Sequence, residues 1–227
     1  SFAYQVAMQL SSPKLVANMG PFLLGSTAPD LRSMTKGTRA EYHFASLNFK
    51  KWGTGVEGLL KSNPQLRASS DGHVPTQAFI AGYITHILLD ELWIINMYRP
   101  YFGDRGIFAD KDLGNIMDRA FQLELDRISQ ETVKKVFPEL KEIPTHLQIG
   151  FIPFNIIESW HKFVIKMIVR DFTWDRLRFM ANRIASKDEN HPAHKLANDF
   201  INNMPDSLNS IYNSLGPNVI IEFKQNA

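Results

Sequence analysis

The segment from Val74 to Asn96 constrains this chain more than any other, because it sets an aspartate inside an apolar helical run. It reads Val74-Pro-Thr-Gln-Ala-Phe-Ile-Ala-Gly-Tyr-Ile-Thr-His86-Ile-Leu-Leu-Asp90-Glu-Leu-Trp-Ile-Ile-Asn96. No side chain from Val74 to Leu89 carries a formal charge. Apolar residues fall on nearly every face, which predicts a helix buried all round. A carboxylate left unpaired there is strongly disfavoured, so Asp90 must meet a cation, a set of donors or a water-filled cavity. His86 stands four residues earlier. That spacing puts its ring one turn away on the same face, where one metal ion can bridge the two side chains.

The rest of the chain can house such a helix. Its 227 residues, 44% of them hydrophobic, suffice for a substantial core. The twelve prolines and thirteen glycines are scattered and form no linker, and neither an internal repeat nor a low-complexity tract is visible, so a single domain over 1–227 is expected. A net charge of +2 is too small for a nucleic-acid footprint. With no cysteine, disulfides, thiolate metal sites and cysteine nucleophiles are excluded, and a reducing, cytoplasmic setting is expected. No secretory signal is legible at Ser1, and no apolar run reaches the ~20 residues of a membrane span.

Helical periodicity dominates and strand-like alternation is nearly absent. The pattern predicts helices over 2–11, 13–24, 41–61, 75–98, 112–128, 130–137, 153–172, 173–187 and 192–214, with a short extended tail at Val219-Ile-Ile-Glu-Phe. Gly25-Ser-Thr-Ala-Pro-Asp30, Gly72-His-Val-Pro75, Arg99-Pro-Tyr-Phe-Gly103 and Ile143-Pro144 punctuate them. The expected fold class is all-α, a multi-helix bundle packed around the buried 75–98 helix.

Two further polar residues extend the His86 and Asp90 pair. Leu23-Leu-Gly-Ser-Thr-Ala-Pro-Asp30 ends an apolar helix in a Gly/Pro turn and leaves Asp30 at the first turn of the next element. Thirteen residues later, Glu41-Tyr-His43-Phe places a histidine in an aromatic-rich helix start. Asp30, His43, His86 and Asp90 form a two-histidine, two-carboxylate set suited to one divalent transition metal: zinc, iron, manganese or nickel.

The run Pro21-Phe-Leu-Leu-Gly-Ser-Thr-Ala-Pro-Asp30, then His43, then Gly82-Tyr-Ile-Thr-His86-Ile-Leu-Leu-Asp90, resembles the zinc-dependent phospholipase C family, an all-α fold related to the S1/P1 nucleases. The resemblance covers about residues 1–100. In that family an Ala-Pro-Asp turn, a following histidine and a Gly-x-x-x-His-x-x-x-Asp helix supply the ligands of one zinc in a three-zinc cluster. It implies that Asp30, His43, His86 and Asp90 are metal ligands and that the chain hydrolyses phosphate esters or phosphodiesters with metal-activated water. The implied substrate is a small phosphoester or a lipid head-group.

The chain departs from the family at three places. Tyr4 stands near where the family has an N-terminal histidine, and Asn96 where it has one after the helix aspartate. A later His-x-x-x-Glu pair is absent, and Glu158-Ser-Trp-His161 is the nearest substitute. One metal site is therefore complete and the ligands of a second and third are missing. A competing reading is a non-catalytic helical protein that retains a structural remnant of the site.

Simpler roles exist for each residue. His86 and Asp90 can be a buried hydrogen-bonded pair, Asp30 a first-turn aspartate favoured by the helix dipole, and His43 a packing histidine. His73, His146, His191 and His194 read as turn or surface residues, and Glu91 as a mere neighbour. Trp93, Tyr98, Tyr101 and Phe102 read as core and pocket wall. Arg32, Lys36, Arg39 and Arg99 flank the site; they can receive a phosphate, although solvated surface is the ordinary role of such residues.

Overall fold

The structure, a computed structural model, describes residues 2–67, 73–108, 110–142, 147–186 and 188–226, the side chains of Lys224 and Asn226 excepted. Gly72, Ile143-Pro144 and His146, read above as turn or surface positions, lie outside the described residues, as does Lys187 at the end of a predicted helix. The fold is all-α, and no strand occurs among the described residues. The helices are α1 Phe2–Leu10, α2 Pro13–Val16, α3 Met19–Gly25, α4 Arg32–Thr35, α5 Arg39–His43, α6 Thr54–Ser62 and α7 Val74–Trp93. They continue with α8 Lys111–Ile128, α9 Gln130–Lys141, α10 Phe154–Ile168, α11 Asp175–Ile184, α12 Pro192–Asn202, α13 Asp206–Leu215 and α14 Val219–Asn226. Short 3₁₀ turns occupy Ala28–Leu31 and Pro64–Arg67, and a π-helical segment spans Ile94–Phe102.

The chain divides into two compact units, one of Ser1–Glu91 with Glu131–Arg170, the other of Leu92–Gln130 with Asp171–Ala227. In the first unit, Phe22 and Leu24 of α3 pack with Phe79, Tyr83 and Ile87 of α7 and with Ile157 and Trp160 of α10. The contact between α3 and α7 is made by backbone. A Cβ added to Gly82 would lie 1.9 Å from the Phe22 carbonyl oxygen, and one added to Gly25 would lie 2.0 Å from that of Phe79. Only glycine at both positions lets the two helices approach this closely. In the second unit α8 buries Ile116, Ala120, Phe121 and Leu123, and Trp93 stacks on Phe121 at 6.0 Å.

Several predicted boundaries need correction. The 13–24 helix breaks at Asn18, whose φ of −128° and ψ of 38° leave the helical region. The 41–61 helix exists only as α5 and α6. Phe44 takes a left-handed φ of 55° and Gly53 one of 87°, so the chain between them loops. The 75–98 helix does not stop at the Arg99-Pro100 punctuation. It widens into the π segment, closed by an i→i−5 hydrogen bond in which Gly103 N–H donates to the Tyr98 carbonyl at 2.6 Å, and that wider spacing accommodates Pro100. The 192–214 helix is interrupted at 203–205, where Pro205 lacks the N–H that a continuing helix requires. The tail expected to be extended is α14. With no strand beside it among the described residues, helix is how it satisfies its backbone, and Phe223 packs on Trp93 at 5.3 Å.

Nor is α7 buried all round. Ala78, Phe79, Gly82, Tyr83, Ile87 and Glu91 are buried and mark one helical face, while His86 and Asp90 sit on a half-buried flank. The helical run Val74–Phe102 has 29 residues, and its most apolar 18-residue window has a mean hydropathy of 1.5. By length and composition alone this helix is long and apolar enough to cross a membrane, although its uncharged stretch ends at Leu89. The same run carries Asp90, Glu91 and Arg99, and 44% of its most apolar window is buried within the protein.

Candidate metal centre

The donors are delivered by three elements of the first unit. The turn after α3 bears Asp30, α5 ends in His43, and α7 carries His86 and Asp90. Trp160 of α10 donates from its indole N–H to Thr27 Oγ1 at 2.9 Å, which pins the Ala-Pro-Asp turn from outside. Thr38 begins α5 with a reciprocal capping box to Glu41. Tyr83 of α7 donates to the Tyr42 carbonyl at 2.5 Å and thereby ties α5 to α7 beside His43.

Asp30, His43 and His86 converge, with one ligating atom from each lying within 4.8 Å of the other two. The ring centroids of His43 and His86 are 5.4 Å apart, and Asp30 Oδ2 is 4.0 Å from His86 Nε2. Asp30 is the solvent side of the group at 57% exposure, His86 is 17% exposed and His43 only 1%. These three residues can hold a metal ion.

The two imidazoles differ in what surrounds them. His86 Nδ1 lies 2.8 Å from the Ser26 carbonyl oxygen. A carbonyl only accepts, so Nδ1 carries the proton and Nε2 turns its lone pair towards Asp30, the orientation that a carbonyl bonded to the other ring nitrogen imposes on a metal-binding histidine. His43, by contrast, is buried with neither ring nitrogen hydrogen-bonded. A buried polar group without a partner is strongly disfavoured, and two on one ring call for a ligand. Burial first, then the charge of Arg39, lower its pKa to about 4 against the opposing pull of Asp90. His43 is therefore neutral at physiological pH and able to donate a lone pair.

Asp90 does not complete the group in the way the spacing predicts. Its carboxylate is engaged by the Arg39 guanidinium in a two-pronged ion pair, with Nη1 3.3 Å from Oδ1 and Nη2 against Oδ2. The same Oδ1 lies 3.9 Å from His43 Nε2. Burial raises the Asp90 pKa, but the hydrogen bond and charge of Arg39, with His43 and His86 adding to them, outweigh burial and hold it below its ordinary value. Arg39 is only 13% exposed, not solvated surface. The signal for it was in the sequence: Arg39 precedes His43 by four, as His86 precedes Asp90, so two helical i,i+4 pairs face one another.

Glu91 is also more than a neighbour. It is buried, and its two carboxylate oxygens accept the N–H groups of Gly53 and Gly55 at 2.6 Å each, tying the start of α6 to α7.

The other candidates are committed elsewhere. His161 Nε2 is 2.6 Å from the Leu140 carbonyl, and Glu158 is exposed. His191 accepts from the Ala193 N–H at 3.2 Å as the N-cap of α12, and His194 bonds the Asp188 carbonyl at 3.0 Å. His73 lies beside Thr76 at 3.3 Å. Asn96 is exposed and lines a cleft of about 350 Å³ with Tyr101 and Phe223 in the second unit.

Comparison of the chain with protein-family models, with curated proteins and with solved structures finds no match in any of the three.

Proposed function

We propose that Asp30, His43 and His86 hold one divalent transition metal ion, zinc first among zinc, iron, manganese and nickel, and that the chain is a metal-dependent hydrolase of phosphate esters or phosphodiesters. The observation that carries the metal site is His43, buried with both ring nitrogens unpartnered beside a His86 whose tautomer Ser26 sets. A one-nitrogen-each pair of imidazoles with one carboxylate is a borderline donor set that suits these metals. The hydrolytic reading rests on the resemblance of the Ala28-Pro29-Asp30, His43 and Gly82-x-x-x-His86-x-x-x-Asp90 motifs to zinc-dependent phospholipase C.

Three protein donors leave a tetrahedral ion a position for water or substrate, and an ion that also draws in Asp90 keeps such a position by expanding to five-coordination. When bound, the ion supplies Lewis acidity towards a phosphoryl oxygen and acidifies water. The protein's own contributions are separate. Ser26 orients His86, burial keeps His43 neutral, and exposed Asp30 leaves a side of the group open to a substrate. Tyr4 and Asn96 stand in place of family histidines, and this favours the second reading, a metal-binding remnant without turnover.

Elemental analysis and a hydrolysis assay test the two readings together. Protein loaded with zinc and desalted should carry about one ion per chain, fall to none in the His43→Ala and His86→Ala variants, and cleave a generic aryl phosphodiester faster than either variant. Phosphatidylcholine should be cleaved weakly, because stabilisation by several cations is a large part of multi-metal phosphoryl transfer. Metal without any turnover selects the remnant, and absence of bound metal defeats both.

A further inference from the structure

Asp90 lies between the Arg39 guanidinium and the metal-donor nitrogen of His43. Its Oδ1 is 3.3 Å from Arg39 Nη1 and 3.9 Å from His43 Nε2, so a small rotation about its side-chain bonds separates the arginine from the metal donors. Arg39 Nε, like both nitrogens of His43, is buried without a partner. The guanidinium thus keeps an unused donor while its other two nitrogens face the aspartate. A planar guanidinium with an unused donor is suited to a phosphate-type oxyanion, which offers several acceptor oxygens to the fork.

We propose that Arg39 is the oxyanion-recognising residue of this site and that Asp90 acts as its internal competitor, passing from Arg39 to the cation when the cation binds. This rests on the metal site proposed above. Metal-free protein has Arg39 neutralised by Asp90 and a closed anion site. Loading the cation draws the carboxylate away and exposes a guanidinium beside the donors, so a phosphoryl group is admitted only when the ion needed to act on it is present. The linkage is reciprocal, so an oxyanion at Arg39 strengthens cation binding in turn.

Inorganic phosphate and zinc, titrated separately and together by calorimetry, read this out without any activity. Four proteins are compared: wild type, Arg39→Gln, Asp90→Asn and the double variant. Metal-free wild type should bind phosphate weakly, and metal-free Asp90→Asn about ten-fold or more tightly through the released Arg39, a gain that the double variant loses. Zinc should bind Arg39→Gln more tightly than wild type, and most of that gain should vanish when Asp90 is already asparagine, because charge removal alone persists in both backgrounds. Equal phosphate affinity in metal-free wild type and Asp90→Asn overturns the competition, as does a zinc gain of the same size with and without the carboxylate. If Asp90→Asn fails to fold, the comparison of wild type with Arg39→Gln decides: zinc-loaded wild type must exceed Arg39→Gln about ten-fold in phosphate affinity. Failure of wild type to bind zinc defeats the metal site itself, and is distinguishable because the metal-free phosphate comparison still reports on Arg39 and Asp90.

Discussion

His86 Nδ1 sits 2.8 Å from the carbonyl oxygen of Ser26, a residue 60 positions earlier. That bond exists because α3 and α7 touch through backbone at Gly25 and Gly82. Gly82 lies one helical turn before His86, so the distance between the helices sets whether the ring reaches the carbonyl.

Gly82→Ala should therefore destabilise the protein and weaken metal binding together. In an open helix this change stabilises by about 1 kcal/mol, but here the new methyl meets the Phe22 carbonyl at 1.9 Å. Overpacking of about 1–3 kcal/mol should win, and loss of the Ser26 bond should reduce zinc affinity about 10–100-fold. Thermal melting with a zinc titration measures both. A variant more stable than wild type, with unchanged affinity, would show the helices to be farther apart.

His43→Leu separates a metal ligand from an ordinary packing histidine. Removing two buried, unpartnered nitrogens relieves an unsatisfied-donor penalty of about 1–3 kcal/mol, so the metal-free variant should melt no lower than metal-free wild type. Added zinc should raise the melting temperature of wild type, by the equivalent of about 2.7 kcal/mol at a hundred times its dissociation constant, and leave His43→Leu unmoved. A clear loss of metal-free stability would instead make His43 a structural partner of Asp90.

The same histidine makes metal-free protein sensitive to acid. Unfolded, its imidazole takes a proton near 6.5, while folded it refuses one until about 4. Above 6.5 both states are neutral and the residue contributes nothing to the pH dependence. As pH falls from 6.5 to about 4 the unfolded state alone is protonated, so stability drops, by roughly 3 kcal/mol over the whole window. Urea midpoints across that range should fall more steeply for wild type than for His43→Leu; parallel curves would refute it.

Glu91→Ala should cost about 2–4 kcal/mol, because it strands the Gly53 and Gly55 N–H groups that Glu91 accepts at 2.6 Å. Hydrogen exchange should quicken at the start of α6 before it quickens in α3. Uniform exchange across both would mean that the carboxylate does not anchor this junction.

The sequence by itself determined the fold class and singled out Asp30, His43 and His86, which the fold brings together. Period 3.6 is a local property, so α1, α8, α10 and α11 are legible to within a few residues, and a spacing of four suffices to put His86 and Asp90 on one face. It could not show where α5 ends, since Phe44 leaves the helix through a left-handed φ that no local preference demands. Tertiary structure alone decided the partners. Asp90 faces Arg39 because α5 lies across α7 with Tyr83 bonded to the Tyr42 carbonyl, and the tautomer of His86 follows from a carbonyl on α3's far end. Along one helix the pitch fixes which side chains are neighbours, whereas between helices the neighbours depend on how closely the backbones approach, and at Gly25 and Gly82 that is set by the absence of a side chain.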